Sequence, residues 1–333
     1  MRILDAATVN RLLDDGAVLG SIRELFTIQA GDGAVGYGRI DMSHPRGWLR
    51  SLPGYIVPKD VLGFKVLNMT RAVGMRYTIY VHRLSTGELI GIVDGLEVTN
   101  LRTGAVSAVA TDHLAIRDVE VAAIVGTGPV ARGQLQALEL VRPAAETRVY
   151  ARTPENRTAF VTEMGGLTSG RLVSSASLDE AIDGATMVTL ASKATSPLLF
   201  AGHLRPGMHV NSVGPASLDR MEVDPGAFDS FVRVVCDSVD LVFDEAGDAH
   251  QAVAAHGWDQ GRASELSDVV TGKANGRLDD EEITLFKSVG TGVQDLIVAS
   301  HLLELAEAVG IGEVVTDVNA VKPSGSPLPF SRP

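Results

Sequence analysis

A glycine-containing turn is the segment of this sequence best suited to bind a nucleotide. Residues 124–138 read IVGTGPVARGQLQAL, a short apolar run followed by Gly126, Gly128 and Ala131 and then a helical pattern. In such a turn the first glycine permits the tight bend, the second lets the backbone approach a pyrophosphate, and the small third residue lets the helix pack on the strand. The spacing therefore predicts a dinucleotide site; a tight turn without a ligand is the alternative.

The end of the next strand-like run indicates which nicotinamide cofactor the turn would bind. An acidic residue there would accept a hydrogen bond from the ribose 2′-hydroxyl of NAD. Residues 149–157 read VYARTPENR and offer Arg152, Thr153 and Arg157, with no acid before Glu155. Because a guanidinium can pair with a 2′-phosphate through two hydrogen bonds, the segment favours NADP, with NAD as the alternative. Arg152 would otherwise stack on the adenine or lie in solvent.

Continuous apolar runs alternate with helical stretches from about residue 117 onward. This pattern is typical of a parallel sheet whose two faces are covered by helices, so the sequence predicts an α/β fold with a Rossmann-type doubly wound sheet. The runs lie at 120–126, 146–152, 185–193, 207–214 and 231–238.

The first third of the chain has a different pattern, in which helical segments precede alternating, strand-like ones. Alternation on both sides of the turn at 85–88 predicts a β-hairpin. We predict an α+β domain at 1–116 that is completed by a C-terminal helix in 300–333, and a Rossmann domain at 117–299. The Pro- and Ser-rich tail at 322–333 is expected to be partly disordered.

Composition and charge argue against several classes of protein. The net charge of −12 and the 5% aromatic content argue against a nucleic-acid-binding surface. Cys236 is the single cysteine, so we expect a buried thiol, no disulfide within the chain and no metal site. The N-terminal segment carries acids, and no apolar stretch approaches the roughly 20 residues of a membrane span, so we predict a cytoplasmic protein.

Four stretches make the chain similar to the ornithine cyclodeaminase/mu-crystallin family. Besides the glycine turn, they are GFKVLNM at 63–69, TNLRTGAVSAVATDHLA at 99–115 and FKSVGTGVQDLIVA at 286–299, and they occur in the family's order. The resemblance implies a homodimer whose N-terminal domain binds the substrate and mediates dimerisation. It also implies hydride transfer at a carbon that bears nitrogen, on a small amino or imino acid.

The resemblance assigns roles to three cations. Arg39 and Arg102 would bind the α-carboxylate of the substrate, and Lys65 would be the catalytic residue beside the reacting carbon. The residues themselves agree in part. Arg102 is expected at the start of a helix, where it can meet an anion, whereas Lys65 lies between Phe64 and Val66 in a strand, where a charge is costly without a partner. A surface or structural ion pair is the alternative for each.

The last glycine turn of the chain is also expected to face the cofactor. Lys287 ends a strand and Gly290 follows it in a turn that, by resemblance, approaches the nicotinamide; Asp295 is expected to support this turn by hydrogen bonding. The complete predicted set of cofactor contacts is Gly126, Thr127, Gly128, Pro129, Val130, Ala151, Arg152, Thr153, Arg157, Ala191, Ser192, Val213, Lys287 and Gly290.

Two positions depart from the cyclodeaminase pattern. An aspartate that cyclodeaminases carry after a glycine pair falls here on Ala216, and a glutamate that would face a substrate ammonium falls on Arg50. An arginine there would repel an ammonium but attract a second substrate carboxylate, unless it faces solvent. Asp219 or Glu222 would restore cyclodeamination if either replaced the missing acid.

We therefore predict an NAD(P)H-dependent imine (ketimine) reductase or amino-acid dehydrogenase that acts on a small, dicarboxylic 2-imino or 2-amino acid. One alternative is an NAD-dependent, ammonia-releasing ornithine or lysine cyclodeaminase, which needs the missing acids. The other is a non-enzymatic NADP-binding protein of the crystallin type, against which the retained Lys65 and arginines argue.

Overall fold

The computed structural model describes residues 1–214 and 216–316, which form two separate sheets and their covering helices. The strands are β1 (Arg2–Leu4), β2 (Ala34–Gly36), β3 (Ile40–His44), β4 (Gly47–Ile56), β5 (Val61–Thr70), β6 (Gly74–Arg83), β7 (Leu89–Asp94), β8 (Val119–Val125), β9 (Ala144–Tyr150), β10 (Arg171–Ser174), β11 (Met187–Leu190), β12 (His209–Ser212), β13 (Arg233–Cys236), β14 (Ala263–Glu265), β15 (Thr284–Lys287) and β16 (Glu313–Val314). The helices are α1 (Ala6–Leu12), α2 (Asp15–Gln29), α3 (Leu96–Leu114), α4 (Pro129–Val141), α5 (Pro154–Met164), α6 (Leu178–Ile182), α7 (Val239–Glu245), α8 (Gly247–His256), α9 (Leu266–Val270) and α10 (Gly292–Val309). Within these described ranges, no helix is long and apolar enough to cross a bilayer.

The first sheet is largely antiparallel and presents one face to α10. In the described part of the chain its strand order is β16-β1-β7-β6-β5-β4-β2, and β3 also pairs with β4. The turn between β6 and β7 is the predicted hairpin. The register aligns Leu52, Lys65 and Ile79 across β4, β5 and β6, and the neighbouring row contains Arg50 and Tyr77. Because residues two apart on a strand point the same way, all five side chains share one face.

The second sheet is parallel throughout, with the order β10-β9-β8-β11-β12-β15-β13-β14 among the described residues. It confirms the predicted Rossmann-type fold. The strand order changes direction between β8 and β11, and ligands of such sheets bind outside the carboxyl ends of the strands at this point. Cys236, at the end of β13, is buried as predicted.

Helix α10 links the two sheets. It begins at Gly292, after the turn that follows β15, and packs across β4 and β5 of the first sheet. The segment that returns to the first sheet therefore starts before residue 300, and the division into two domains stays a prediction. Residues 317–333, with the Pro- and Ser-rich tail, lie outside the described residues.

Helices α3 and α4 cross at two glycines. A Cβ atom on Gly104 would lie 2.0 Å from the carbonyl oxygen of Gly133, and one on Gly133 would lie 2.3 Å from the carbonyl oxygen of Asn100. A larger residue fits neither position unless a backbone moves, and close-packed interiors resist such movement. The crossing therefore fixes α3 relative to α4, the helix that follows the first glycine turn.

We expect Gly104→Ala to lower the free energy of unfolding by about 3 kcal/mol, because it drives a methyl group into the Gly133 carbonyl. Gly20→Ala is the matched control: Gly20 also lies inside a helix but has open space around a Cβ, so the free energy of unfolding should rise by about 0.5–1 kcal/mol. Urea denaturation measures both changes. An unchanged or higher free energy of unfolding for Gly104→Ala would contradict the close crossing.

Candidate active site

A buried ion-pair cluster connects β5, α3 and α10. Lys65 Nζ lies 2.7 Å from Asp295 Oδ2, and Arg102 Nε lies 3.1 Å from Asp295 Oδ1. Lys65 is 1% exposed and Asp295 is 0% exposed. The charge in the middle of the strand therefore has a partner, as burial requires. Asp295 pairs with two cations and does not support the last glycine turn, which corrects the expectation from the sequence.

The environment of Lys65 suits proton exchange. Burial lowers the pKa of Lys65 to about 7, although the Asp295 carboxylate opposes this effect. Nζ also lies 3.4 Å from the Thr99 hydroxyl. A lysine with this pKa is present in both protonation states near neutral pH, so it can hold or release a proton at this position.

Arg102 lies against the last glycine turn. Helix α3 begins at Leu96, so Arg102 lies in the second turn of the helix and not at its start as predicted. Its Nη1 donates to Gln294 Oε1 at 2.6 Å. Gly290 has a φ of +75°, and a Cβ there would lie 2.7 Å from Arg102 Nη1. Among the described residues Nη2 has no hydrogen-bond partner, so this nitrogen is free to bind an anion.

Asp237 holds the same turn from the side of the Rossmann sheet. It follows β13, and its carboxylate accepts hydrogen bonds from Ser288 Oγ at 2.8 Å, Gly290 N at 2.8 Å and Gln294 Nε2 at 3.0 Å. Gln294 thereby bridges Asp237 and Arg102. The support that was expected from Asp295 comes instead from this residue, whose role was not apparent from the sequence.

Arg39 lies in the cleft but already contacts protein acceptors. Its guanidinium pairs with Glu245, at the end of α7, and donates to the carbonyl oxygens of Val289 and Gly290, the latter at 3.1 Å. Burial lowers the pKa of Arg39 to about 10, and the nearby Arg50 adds to this effect. Arg39 therefore joins the first sheet to the Rossmann sheet, and its role in substrate binding stays a prediction.

Arg50 lines the same cleft from β4. Asp41, directly opposite on β3, accepts hydrogen bonds from Nε at 2.7 Å and from Nη2 at 2.6 Å. Nη1 lies 3.5 Å from the carbonyl oxygen of Ala216, and the guanidinium lies 5.6 Å from the centre of the Trp48 ring. Arg50 thus lies in the cleft and not on a loop in solvent, but a carboxylate of the protein already neutralises it.

The cleft has a volume of about 180 Å³ and borders the first glycine turn. Val130, from that turn, and Val213, after β12, line it together with the four cations. Tyr77 and Thr99 line it as well. Neither was singled out from the sequence, although the alternation that puts Tyr77 on the same face as Ile79 was an available signal.

The first glycine turn fits a dinucleotide. Gly126 has a φ of +130°, and a Cβ there would lie 2.3 Å from the carbonyl oxygen of Ala191, so only glycine fits. Gly128 has open space around a Cβ, which lets a ligand approach the backbone. No side chain of the described residues caps α4, so its first amides can bind a phosphate. Thr127 and Pro129, the other predicted contacts of this turn, are half-buried and exposed, respectively.

The two arginines predicted to meet the 2′-phosphate have different environments. Arg152 and Thr153 are exposed, and Arg152 forms no ion pair within the described ranges. Arg157 is buried; its Nη1 donates to the carbonyl oxygen of Ala151 at 2.6 Å, and its guanidinium lies 5.7 Å from the centre of the Tyr150 ring. Arg157 therefore supports the end of β9, and its contact with a 2′-phosphate, like that of the exposed Arg152, stays a prediction.

Lys287, a predicted cofactor contact, has an ion-pair partner. Its side chain is buried, with Nζ 2.7 Å from Asp248 Oδ2 and 2.9 Å from Ser212 Oγ, to which it donates. The Lys287 ammonium is thus paired within the protein, and a contact of this residue with the cofactor stays a prediction. Proximity to the turn could be predicted from the sequence, but the direction of the side chain could not.

Neither acid considered as a replacement for the cyclodeaminase aspartate lines the cleft. Asp219 is exposed. Glu222 is buried and accepts hydrogen bonds from Ser192 N at 2.7 Å and Gly214 N at 2.9 Å. It thereby holds together the turns after β11 and β12, in which the predicted contacts Ser192 and Val213 lie.

The geometry indicates a class of protein. A nicotinamide dinucleotide bound at the first glycine turn supplies hydride chemistry, which needs a proton donor and a substrate-binding charge nearby. Lys65 can exchange a proton, and Arg102 has a free nitrogen for an anion. These features define a nicotinamide-dependent oxidoreductase.

The chain belongs to the ornithine cyclodeaminase/mu-crystallin family, whose model matches residues 16–309. A Delta(1)-pyrroline-2-carboxylate reductase of Bacillus cereus is 33% identical over 79% of this chain and 82% of its own length. The ketimine reductase mu-crystallin of Mus musculus is 31% identical over 78% of this chain and 81% of its own length. The structure of Thermococcus litoralis Delta(1)-pyrroline-2-carboxylate reductase in complex with NADH and L-proline has a TM-score of 0.90 and 30% identity, over 95% of this chain and 100% of that chain.

These similarities confirm the predicted family and its reductase-like branch. The chain is an NAD(P)-dependent oxidoreductase that acts at a carbon–nitrogen bond.

We expect Asp295→Asn to lower kcat/KM at pH 7 by about 100-fold, the effect of losing a positioned proton donor. Asp295 raises the pKa of Lys65, so its removal lowers that pKa and the protonated lysine is lost at a lower pH. The pH profile of kcat/KM checks this: its alkaline limb should lie near pH 7 in the wild type and shift to lower pH in the variant.

Asp112→Asn is the control for this profile. It removes a carboxylate that pairs with Arg23 and Arg142 outside the cleft, and the alkaline limb should stay in place. An unshifted limb in a folded Asp295→Asn protein would contradict the role given to this carboxylate.

Proposed function

We propose that the protein reduces small ketimine 2-carboxylates, cyclic ones in particular, with NAD(P)H. The observation that carries the proposal is the attachment of Lys65 and Arg102 to one buried carboxylate, in a cleft that borders the glycine turn. An imine needs a proton on its nitrogen as the adjacent carbon is reduced, and the carboxylate on that carbon needs a cation.

Each cation has a separate task in this reaction. Arg102 binds the substrate carboxylate through Nη2, because Asp295 and Gln294 hold its Nε and Nη1 and so fix the orientation of the guanidinium. Lys65 holds the proton for the imine nitrogen. NAD(P)H, when bound, supplies the hydride. Asp295 keeps Lys65 charged beside Arg102, whose positive charge would otherwise favour the neutral amine.

The arrangement of acids favours reduction over ammonia-releasing cyclisation. Cyclodeamination of ornithine or lysine would need a free acid in the cleft, at the position that Ala216 occupies. The carboxylates nearest the cleft cations are Asp41, Glu245 and Asp295, and each is held in an ion pair. We therefore place cyclodeamination behind reduction.

The pairing of the cations favours one substrate carboxylate rather than two. In the sequence, Arg50 suggests a dicarboxylic substrate. In the structure, the Asp41 carboxylate neutralises the Arg50 guanidinium, whereas Arg102 Nη2 has no partner among the described residues. A cyclic ketimine with a single carboxylate, of the kind in the name of the Delta(1)-pyrroline-2-carboxylate reductases, fits these charges. A dicarboxylic imine such as iminosuccinate is the second candidate, favoured by the presence of Arg50 in the cleft.

The decrease of nicotinamide absorbance tests the proposal on a defined panel. Delta(1)-pyrroline-2-carboxylate represents cyclic monocarboxylic ketimines, pyruvate with methylamine represents open-chain ones, and oxaloacetate with ammonia supplies iminosuccinate. We expect the highest kcat/KM for the cyclic substrate. Release of ammonia from L-ornithine without net cofactor change would overturn the proposal in favour of cyclodeamination, and a clear preference for iminosuccinate would favour the second candidate.

We also propose that NADPH is the preferred reductant, with NADH as the alternative. Arg152→Ala should raise KM for NADPH about 10- to 100-fold, because a charge-assisted contact to the 2′-phosphate is lost, and should leave KM for NADH almost unchanged. Steady-state kinetics with both cofactors measure the two effects. The control is Arg171→Ala, which removes an exposed arginine that pairs with Glu146. Equal effects of Arg152→Ala on both cofactors would argue against 2′-phosphate recognition.

The proposal includes a cytoplasmic homodimer in which the two chains contact each other through the first sheet. Ile40 and Met42, on β3, are 63% and 58% exposed, although both are apolar. Apolar side chains grouped on one strand are typical of a surface that another chain covers.

A further inference from the structure

Asp41 lies outside the residues that the reaction needs, yet its carboxylate holds Arg50, a cation that lines the cleft, through two short hydrogen bonds. It stands directly opposite Arg50 in the register of β3 and β4, and the two side chains form a pair of parallel hydrogen bonds. Such a two-point contact uses the geometry with which an arginine recognises a carboxylate.

Asp41 occupies the edge of the Arg50 guanidinium formed by Nε and Nη2, the edge through which this side chain would bind a second substrate carboxylate at two points. Nε and Nη2 face Asp41, and Nη1 faces the carbonyl oxygen of Ala216 at 3.5 Å. Arg102 differs from Arg50 in this respect, since its Nη2 has no partner among the described residues. A carboxylate that binds Arg50 through Nε and Nη2 must first displace Asp41, whereas Arg102 Nη2 requires no such exchange.

The Asp41 carboxylate also opposes a second negative charge. A substrate carboxylate brought to Arg50 would have to displace Asp41 from the guanidinium or lie beside it, and two neighbouring carboxylates repel each other. The Asp41 side chain is 51% exposed, so water screens part of this repulsion, and we expect a discrimination of moderate size.

We propose that Asp41 is a specificity-determining residue, which occupies the Arg50 guanidinium and thereby makes the cleft reject substrates with a second carboxylate. The inference rests on the proposed reduction of ketimine 2-carboxylates in this cleft. It predicts that loss of the Asp41 charge changes which substrate is accepted, with little effect on the chemistry at Lys65.

The test compares the wild type with Asp41→Asn by two readouts. The first is the ratio of kcat/KM for iminosuccinate to kcat/KM for Delta(1)-pyrroline-2-carboxylate. The second is the ratio of the dissociation constants of L-proline and L-aspartate, measured by calorimetry with the oxidised cofactor present, which needs no turnover. We expect both ratios to move toward the dicarboxylic compound by about tenfold, and kcat for the monocarboxylic substrate to stay within about twofold.

Two further variants separate the Arg50 contact from general effects of charge. Asp41→Asn combined with Arg50→Gln should lose the gain, because the freed guanidinium is what binds the second carboxylate. Asp229→Asn, the same substitution at an exposed aspartate that pairs with Arg262 outside the cleft, should leave both ratios unchanged.

The inference is overturned if Asp41→Asn leaves both ratios within about twofold of the wild type, or if the double variant keeps the gain. Failure of the proposed function looks different. In that case the wild type reduces no ketimine of the panel, and the binding ratio still reports on Asp41 alone.

Discussion

The carboxylate of Asp295 is the constraint on which the rest of the cleft depends. Two cations cannot share a buried site in a medium of low polarity unless an anion lies between them. Lys65 comes from a strand of the first sheet, Arg102 from the helix that leads into the parallel sheet, and Asp295 from the helix that returns from it. Their ion pairs thus hold three elements together at one point, and the same contacts keep the pKa of Lys65 close to 7.

Two further sets of contacts fix the elements around this ion-pair cluster: the crossing of α3 and α4, and the hydrogen bonds that hold the last glycine turn. Gly104 and Gly133 allow α3 and α4 to touch through their backbones, which sets the distance between Arg102 and the first glycine turn. Asp237 holds the last glycine turn through two backbone amides and two side chains. A cleft built from two sheets therefore has little freedom in the placement of its charged groups.

Much of this arrangement could be predicted from the sequence. The apolar runs and the glycine spacing are local patterns, so the parallel sheet and its dinucleotide turn were predictable, and a lone charge such as Lys65 in an apolar strand signals a required partner. Which partner it has depends on tertiary packing, and the role of Asp295 was therefore assigned wrongly. The directions of the Arg157 and Lys287 side chains depend on contacts far along the chain in the same way. The start of α3 was placed too late because its buried, small residues lack the periodicity of an amphipathic helix.

The residues proposed to select the substrate and those proposed to select the cofactor lie on different sheets. Asp41 and Arg50 belong to a hairpin of the first sheet, whereas Arg152 follows a strand of the second. The ion pairs described above connect none of these three residues to Lys65, Asp295 or Arg102. In evolutionary terms the two preferences are separable traits. Descendants of one ancestral reductase can drift to a new imine or exchange one reductant for the other by single substitutions, while the catalytic charges are inherited unchanged.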